Sequence, residues 1–210
     1  MKRTQKRRYR SELRARAAEE TKKTVLAAAK ALFSRRGIDR TTVADIARRA
    51  DVAAPTVYAL YKSKEGILRA IMREALFGRS FEEARSRLDG VTEAVERVAL
   101  SAHVARAIYE QEGVQLGFIR GSSAFSPSLR KLEQEFEQIR LDMQEERIRL
   151  LFAQSRQREG LSINDARRIL WMYTSRDIYR MLVHEGGWTP EQFQHWLSET
   201  LVTALTNERR

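Results

Sequence analysis

Apolar residues recur at helical spacing along almost the whole chain, and this pattern limits the possible folds more than any other feature. Val25, Ala29 and Leu32 lie three or four positions apart, and the same spacing returns in residues 43–50 and 67–76. No segment alternates convincingly with the period of two that a half-buried strand requires. The sequence therefore predicts an all-α fold with about nine helices.

Capping residues and glycines indicate where many of these helices begin and end. Ser162 precedes Asp165 by three positions and Thr189 precedes Gln192 by three, which is the spacing of a capping box, and Ser126 stands before a first-turn proline. Glycine interrupts the helical pattern between these starts. We expect breaks at residues 89–90, 112–113, 121–127, 159–160 and 186–187.

The positive charge is concentrated in the first third of the chain. Residues 1–70 contain 19 Lys or Arg and 7 Asp or Glu, whereas residues 71–210 contain 20 and 21, which together give the net charge of +11. A basic segment joined to a nearly neutral body is typical of a nucleic-acid-binding module attached to a second domain. We therefore expect the first third to contact nucleic acid.

The sequence carries no motif typical of an enzyme or of a cofactor site. It contains no cysteine, which excludes disulfides and thiolate zinc sites, and it has no phosphate-binding loop, dinucleotide glycine pattern or nucleophile elbow. His103, His184 and His195 include no pair four positions apart, so they form no recognisable metal set. We expect no catalysis, no cofactor and no metal.

The chain also lacks the pattern of an exported or membrane-inserted protein. Its first twenty residues are rich in Lys and Arg without an apolar core, and the longest run free of formal charge, Val52 to Tyr61, is too short to cross a bilayer. We expect a cytoplasmic protein, with which the absence of cysteine agrees.

Residues 41–62 have the composition of a helix-turn-helix. Thr41 or Thr42 can cap a first helix that runs to about Ala50. Asp51 tolerates the turn conformation, and Pro55 lies near the start of a second helix. Because the turn is only a few residues long, the second helix is predicted to enter the major groove of DNA while the first supports it.

This stretch resembles the tetracycline-repressor (TetR) family. The resemblance implies an N-terminal three-helix DNA-binding domain and a C-terminal helical bundle, with a basic arm in residues 1–18, the helix-turn-helix domain in residues 19–65 and a ligand-binding and dimerisation domain in residues 66–210. The matching residues are Thr41 to Ala47, Val52, Pro55 to Tyr58 and Tyr61 to Glu65, with Ala29, Leu32, Phe33 and Gly37 before them and Gly187 to Pro190 and Trp196 near the C-terminus.

The same resemblance implies a bacterial transcriptional regulator, a repressor that binds palindromic double-stranded operator DNA as a homodimer. A small-molecule effector would release it by displacing the helix around Ile67 to Phe77. The protein would then lie on the nucleoid when bound to DNA. The residues leave one alternative open, a sequence-nonspecific or architectural DNA-binding protein that relies on the basic arm.

The family resemblance also assigns DNA contacts to individual residues. Pro55 and Thr56 would face base edges, whereas Tyr58 and a lysine at the next helix start would face phosphates. Ala53 and Ala54 stand where the family often has Ser, Gln or Arg, and Leu60 where it often has His, so DNA shape is expected to contribute to specificity. The expected contacts from this region are Thr42, Ala53, Ala54, Pro55, Thr56, Tyr58, Lys62 and Lys64.

The basic arm adds a second set of expected contacts. Arg3, Arg7, Arg8 and Arg10 can enter the minor groove or lie on phosphates, although a run of charge can equally be a solvated tail. We expect this segment to gain order, at least in part, when DNA binds.

Two further sets of residues are predicted in the larger domain. Aromatic residues at helical spacing are usually core, but a pocket needs a few such groups beside polar ones, and the apolar content of the last two helices exceeds what one subunit can bury, which suggests a four-helix dimer interface. The ligand candidates are His103, Tyr109, Arg120, Trp171, Tyr173, Arg176 and Asp177, and the interface candidates are Ile169, Leu182, Phe193, Trp196, Leu197 and Leu201.

Overall fold

The structure, a computed structural model, describes residues 2–110 and 127–208. Within these ranges the regular structure is helical apart from one isolated bridge between Gln157 and Thr206, which confirms the predicted all-α fold. None of the described helices is both long enough and apolar enough to cross a membrane.

The described chain divides into two compact units, residues 2–73 with 127–129 and residues 74–110 with 130–208. The division falls inside α4 and again inside α8. The helices are α1 (Lys2–Arg36), α2 (Val43–Arg49), α3 (Ala54–Tyr61), α4 (Lys64–Phe77), α5 (Arg79–Ser86), α6 (Ala94–Ala99), α7 (residues 101–110), α8 (Pro127–Ala153), α9 (Ile163–Tyr173), α10 (Arg176–Tyr179), which continues as a π-helical turn (Arg180–Glu185), and α11 (Pro190–Leu205).

Most of the predicted helix limits in the described part follow from local chemistry. Thr42 rather than Thr41 caps α2, and Asp51 adopts a left-handed φ of 54° in the turn before α3. The Thr189 capping box before α11 is confirmed. At α9, Ser162 accepts from the Asp165 amide as expected, but the Asp165 carboxylate accepts from the Ser162 hydroxyl instead of from its backbone.

Helix α1 includes the residues of the predicted basic arm. It begins at Lys2 and continues without interruption to Arg36, so the arm and the first helix of the helix-turn-helix domain form one continuous helix. A run free of glycine and proline permits this continuity. All side chains from Leu13 to Glu20 are exposed, and the buried part of α1 begins at Val25.

The first unit has a small core that α1, α2, α3 and α4 share. The predicted apolar stripes are buried there: Val25 and Ala29 of α1, Ile46 of α2 and Ile67 of α4 are fully enclosed. Helix α2 packs against both α1 and α3, so the position of α3 depends on two neighbouring helices.

The second unit is organised around α11, which packs on α6, α9 and the π-helical turn. This packing corrects part of the predicted dimer interface. Phe193, Leu197 and Leu201 are completely buried within their own chain, so they belong to the core of the subunit and cannot face a partner. The ring centroids of Phe193 and Tyr179, for example, lie 4.8 Å apart in an edge-to-face arrangement.

Candidate nucleic-acid interface and ligand cavity

Helix α3 places one side chain in the core and presents others to solvent. Val57 is buried, whereas Pro55, Thr56 and Tyr58 are exposed, with half of the Tyr58 surface accessible. Ala53 caps the helix in an extended conformation and is itself exposed. The residues that were predicted to contact bases therefore share an accessible surface.

Helix α2 is fixed at its start by a reciprocal pair. The Thr42 amide donates to the Asp45 carboxylate at 3.2 Å, and the Asp45 amide donates to the Thr42 hydroxyl at 3.1 Å. The Thr42 hydroxyl also donates to the same carboxylate at 2.8 Å, and Arg48 pairs with it from the next turn. These hydrogen bonds lower the pKa of Asp45. The hydroxyl proton of Thr42, one of the predicted DNA contacts, is thus already donated within the cap.

The turn between α3 and α4 is held by two hydrogen bonds within the first unit and leaves no room for a side chain at residue 66. The Tyr61 hydroxyl donates to the Lys22 carbonyl at 3.2 Å, and the Lys64 ammonium donates to the Ile38 carbonyl at 2.9 Å. A Cβ added to Gly66 would lie 1.8 Å from the Tyr61 carbonyl oxygen. Lys64 therefore has a structural contact in addition to its predicted phosphate contact, while Lys62 is exposed.

Several exposed arginines of the first unit were not singled out from the sequence. The excess of Lys and Arg in residues 1–70 could have indicated them, but the sequence analysis assigned DNA contacts from this excess mainly to the basic arm. The side chains of Arg3, Arg7, Arg8 and Arg10 lie outside the described residues, although their backbone belongs to α1. The additional exposed arginines are Arg35, Arg36, Arg40, Arg48 and Arg49.

The second unit contains a small cavity that is partly open to solvent. Its apolar wall comes from the end of α4, from α5 and from α7. Its polar wall comes mainly from α8, with Thr174 from the break between α9 and α10. The lining residues are Phe77, Phe81, Ser101, Val104, Ala105, Ile108, Tyr109, Arg140, Met143, Gln144, Arg147 and Thr174.

Thr174 organises the polar wall. Its hydroxyl donates to the Leu170 carbonyl at 2.6 Å and accepts from Arg140 at 3.0 Å and from the Gln144 amide at 2.8 Å. Its carbonyl accepts from the buried Tyr109 hydroxyl at 2.9 Å. Because the helix is interrupted here, this carbonyl is available to side chains instead of to the next helical turn.

Arg140 is fully engaged beside this residue. Its guanidinium donates to the Glu137 carboxylate at 2.6 Å and to the Trp171 carbonyl at 2.7 Å, and it lies 5.2 Å from the centre of the Trp171 ring. The Trp171 indole N–H donates to the same carboxylate at 3.0 Å. Arg140 and Trp171 therefore form part of the cavity's supporting structure.

One predicted ligand residue, Tyr109, lines the cavity. Trp171 supports the lining from behind, Tyr173 packs edge-on against Trp196, and Asp177 is exposed beside Arg180. His103 is half-buried, and burial together with nearby arginines lowers its pKa. Neither His103 nor Arg176 is among the described lining residues, and Arg120 lies outside the described part of the chain.

Sequence reasoning missed the polar residues of α8 that line the cavity. Arg140, Gln144 and Arg147 continue the stripe that begins with the buried Leu132 and Phe136. The sequence could have indicated these residues, because they are polar side chains on the face of α8 where the helical period predicts apolar ones.

The first unit contains a helix-turn-helix with an accessible second helix, and the regular structure of the described residues in the second unit is helical. Such an arrangement is typical of two-domain helical DNA-binding proteins. Residues 25–71 match the sequence model of a family described as bacterial regulatory proteins, tetR family. The similarity to this family thus lies within the first unit, from α1 to α4.

A curated transcriptional repressor is also similar to part of this chain. The HTH-type transcriptional repressor KstR2 of Rhodococcus jostii (strain RHA1) is 37% identical over 91 residues, which cover 39% of this chain and 44% of the repressor. The match therefore spans less than half of that relative.

Solved structures extend the similarity of fold across most of the chain. NalD, the secondary repressor of the MexAB-OprM multidrug efflux pump in Pseudomonas aeruginosa, aligns with a TM-score of 0.72 at 21% identity, over 92% of this chain and all of NalD. The regulator FadR from Bacillus subtilis, solved in complex with stearoyl-CoA, aligns with a TM-score of 0.67 at 20% identity, over 86% and 97% of the two chains.

Proposed function

We propose that this chain is a ligand-responsive transcriptional regulator, a repressor that binds a palindromic operator as a homodimer. The observation that carries the proposal is the accessible surface of α3, where Pro55, Thr56 and Tyr58 are exposed around the buried anchor Val57. This surface lies within the residues that match a family of bacterial regulatory proteins. In this proposal residues 19–65 bind DNA and residues 66–210 dimerise and bind the effector.

The chemistry of the surface fits duplex DNA. Pro55 offers apolar contact to a thymine methyl and Thr56 a hydroxyl to a base edge, while Tyr58 and Lys62 suit phosphates. The alanines at 53 and 54 add no hydrogen bond to a base. Sequence preference is then set by a few contacts and by DNA shape, and the basic residues supply affinity that falls with salt.

Effector binding in the cavity of the second unit supplies the proposed response. Phe77, the last residue of α4, lines this cavity, so an occupant that needs more room changes the position of the end of α4. A ligand that binds the DNA-free form more tightly releases the operator, and such coupling is commonly about 1–3 kcal/mol.

The proposed dimer surface uses the apolar side chains that the subunit leaves accessible. Ile169, Leu182 and Trp196 are half-buried in the single chain and remain candidates. Met172 of α9 and Met181 of the π-helical turn are 46% and 44% exposed. Exposed apolar residues of this size favour a partner surface over water.

A selected operator tests the proposal directly. A duplex enriched from a random library by the full chain is compared with its scrambled version by fluorescence anisotropy across a salt series. We expect a preference of about 10³ or more for the selected duplex. Thr56→Ala is expected to weaken its binding by about 1 kcal/mol, roughly fivefold, whereas Thr203→Ala, an exposed threonine of the second unit, leaves it unchanged.

The alternative, a sequence-nonspecific DNA-binding protein, is favoured by the two alanines at the start of α3 and by the basic N-terminal segment. A chain lacking residues 1–16 separates the two readings. Retained preference for the selected duplex supports the operator-binding regulator. The operator-binding regulator is contradicted if both duplexes bind equally, if this binding depends steeply on salt, and if it is lost when residues 1–16 are removed.

A further inference from the structure

Arg147 is a buried cation without a described partner. Its side chain is 8% exposed and lines the cavity, and within residues 2–110 and 127–208 it makes no hydrogen bond or ion pair. Burial lowers its pKa to about 10, and the positive charges of Arg97 and Arg85 act in the same direction. At neutral pH the guanidinium therefore stays charged, although the positive charges of Arg97 and Arg85 disfavour the charged form.

The carboxylates near Arg147 do not neutralise this charge. Glu146 favours the charged form of Arg147, but it pairs with Arg97 at 3.2 Å and is itself largely exposed. Glu82 pairs with Arg85 at 3.2 Å. The nitrogens of Arg147 are not among the fully enclosed side-chain atoms without a partner in the described residues, so they reach the cavity. An anion bound in the cavity can therefore contact the guanidinium and reduce the cost of burying its charge.

Gln144 supplies a second unsatisfied group in the same cavity. The Thr174 hydroxyl uses its only proton on the Leu170 carbonyl, so it must accept from Gln144. This settles the orientation of the amide: the NH₂ group faces Thr174 at 2.8 Å. The Gln144 carbonyl oxygen is left buried and has no hydrogen-bond partner among the described residues.

The two groups are adjacent. Gln144 and Arg147 lie three residues apart on α8, on one face of the helix, and both line the cavity. The facing wall is apolar and includes Phe81, Val104 and Ile108. The site thus combines a cation, an acceptor and an apolar surface.

We propose that the effector is an amphipathic carboxylic acid whose carboxylate binds Arg147 and whose hydroxyl or amide hydrogen binds the Gln144 carbonyl oxygen. This inference rests on the proposed function, because it names the ligand of the proposed effector cavity. A neutral hydrocarbon leaves Arg147 unpaired, and an organic cation is repelled by Arg147, Arg97 and Arg85. An acid with an apolar body satisfies both sides of the cavity.

The unpaired charge gives the proposal a signature in the empty protein. Arg147→Met keeps an unbranched apolar side chain and removes the buried charge, so the melting temperature of the free protein is expected to rise by about 3 °C or more. The same change removes the response to acids. A residue that only stabilised the fold would lower the melting temperature when replaced.

The experiment measures thermal unfolding of the full chain by intrinsic fluorescence with octanoate, decanoate and dodecanoate below their micelle concentrations. Decan-1-ol and decyltrimethylammonium serve as neutral and cationic probes. At least one acid is expected to raise the melting temperature by about 5 °C near saturation, more than either other probe. Arg149→Met is the matched control, because Arg149 is exposed on the same helix and pairs with Glu145.

The acid response is expected in the native chain and in Arg149→Met, and it is expected to be lost in Arg147→Met. If Arg147→Met does not fold, Arg147→Gln is used in the same way. An acid that stabilises the Arg147 variant as much as the native chain overturns the proposal. It is also overturned if no acid stabilises the native chain more than decan-1-ol does.

Operator binding is measured separately on the same preparations. If the selected duplex binds but no acid is preferred over decan-1-ol, the inference about the effector is wrong and the DNA-binding function stands. If an acid binds through Arg147 but no duplex is preferred over its scrambled version, the cavity assignment holds and the proposed regulator does not.

Discussion

At residue 66 a hydrogen atom is the largest side chain that the backbone accepts, because a Cβ there would meet the carbonyl oxygen of Tyr61. The Gly66 amide donates to the Ser63 hydroxyl at 3.2 Å, which closes the turn between α3 and α4. A residue without a side chain is thus required where α3 gives way to α4.

Gly66→Ala is expected to lower the free energy of unfolding by about 2 kcal/mol or more, because the obstructing atom belongs to the backbone and cannot rotate away. Urea unfolding measures the change. Ala70→Gly on the same helix is the control, and its expected cost is about 1 kcal/mol from helix propensity alone. Equal stability of Gly66→Ala and the native chain would show that the turn yields easily.

The polar wall of the cavity shows how far single residues can be interpreted from sequence. Tyr109 was predicted because a ligand pocket needs a few aromatic and polar side chains. Arg140, Gln144 and Arg147 were missed because charged and polar residues on a long helix are usually solvated. Only the structure shows that they are enclosed, since enclosure depends on α7 and on the break at Thr174, which are distant in sequence.

Among the helices, α2 shows most clearly how local chemistry fixes an element. Thr42 and Asp45 satisfy each other's amides at its start. The hydrogen bonds from Thr42 hold the pKa of Asp45 below its ordinary value of 3.8. The ionised carboxylate therefore stabilises the folded state above pH 3.8, and this contribution is lost as the pH falls through the lowered pKa.

Thr42→Ala is expected to lower stability by about 1 kcal/mol, because the Asp45 amide loses its acceptor and the carboxylate loses a donor. Thr42→Ser keeps the hydroxyl and is expected to stay close to the native chain. Thermal unfolding at neutral pH compares the two variants. The cap is unimportant if Ala and Ser behave alike.

The break between α9 and α10 could not be predicted in the same way. No glycine or proline marks residues 174 and 175. Arg140 and Tyr109 donate to the Thr174 carbonyl, and the Ser175 hydroxyl accepts from the Ile178 amide to start α10. Tertiary hydrogen bonds compensate for the helical ones that are interrupted, and such partners are invisible to local patterns.

Across the whole molecule, the sequence indicated an excess of apolar residues in the last two helices, but it could not divide them between core and interface. Phe193, Leu197 and Leu201 proved to be core. Helical periodicity gives the buried face of each helix, and it does not say whether the covering surface belongs to the same chain or to another.

Met172→Glu is expected to weaken the proposed homodimer, because it would place a charge in an apolar interface. Light scattering behind size-exclusion chromatography measures the mass at decreasing protein concentration. Ile139→Glu is the control, since Ile139 is 37% exposed on α8. If the Ile139 variant dissociates into monomers and the Met172 variant remains a dimer, the interface does not include Met172.

The saturated hydroxyl of Thr174 has a consequence for stereochemistry. Because its proton and its acceptor positions are already in use, it holds Gln144 in one orientation beside Arg147. The carboxylate of a hydroxy acid would then contact Arg147, its hydroxyl the Gln144 carbonyl oxygen, and its carbon chain the apolar wall of the cavity. Three different contacts of this kind can distinguish one enantiomer of the acid from the other. A cavity built in this way is expected to be enantioselective, and it would respond to one hand of a hydroxy acid while the other stays unbound.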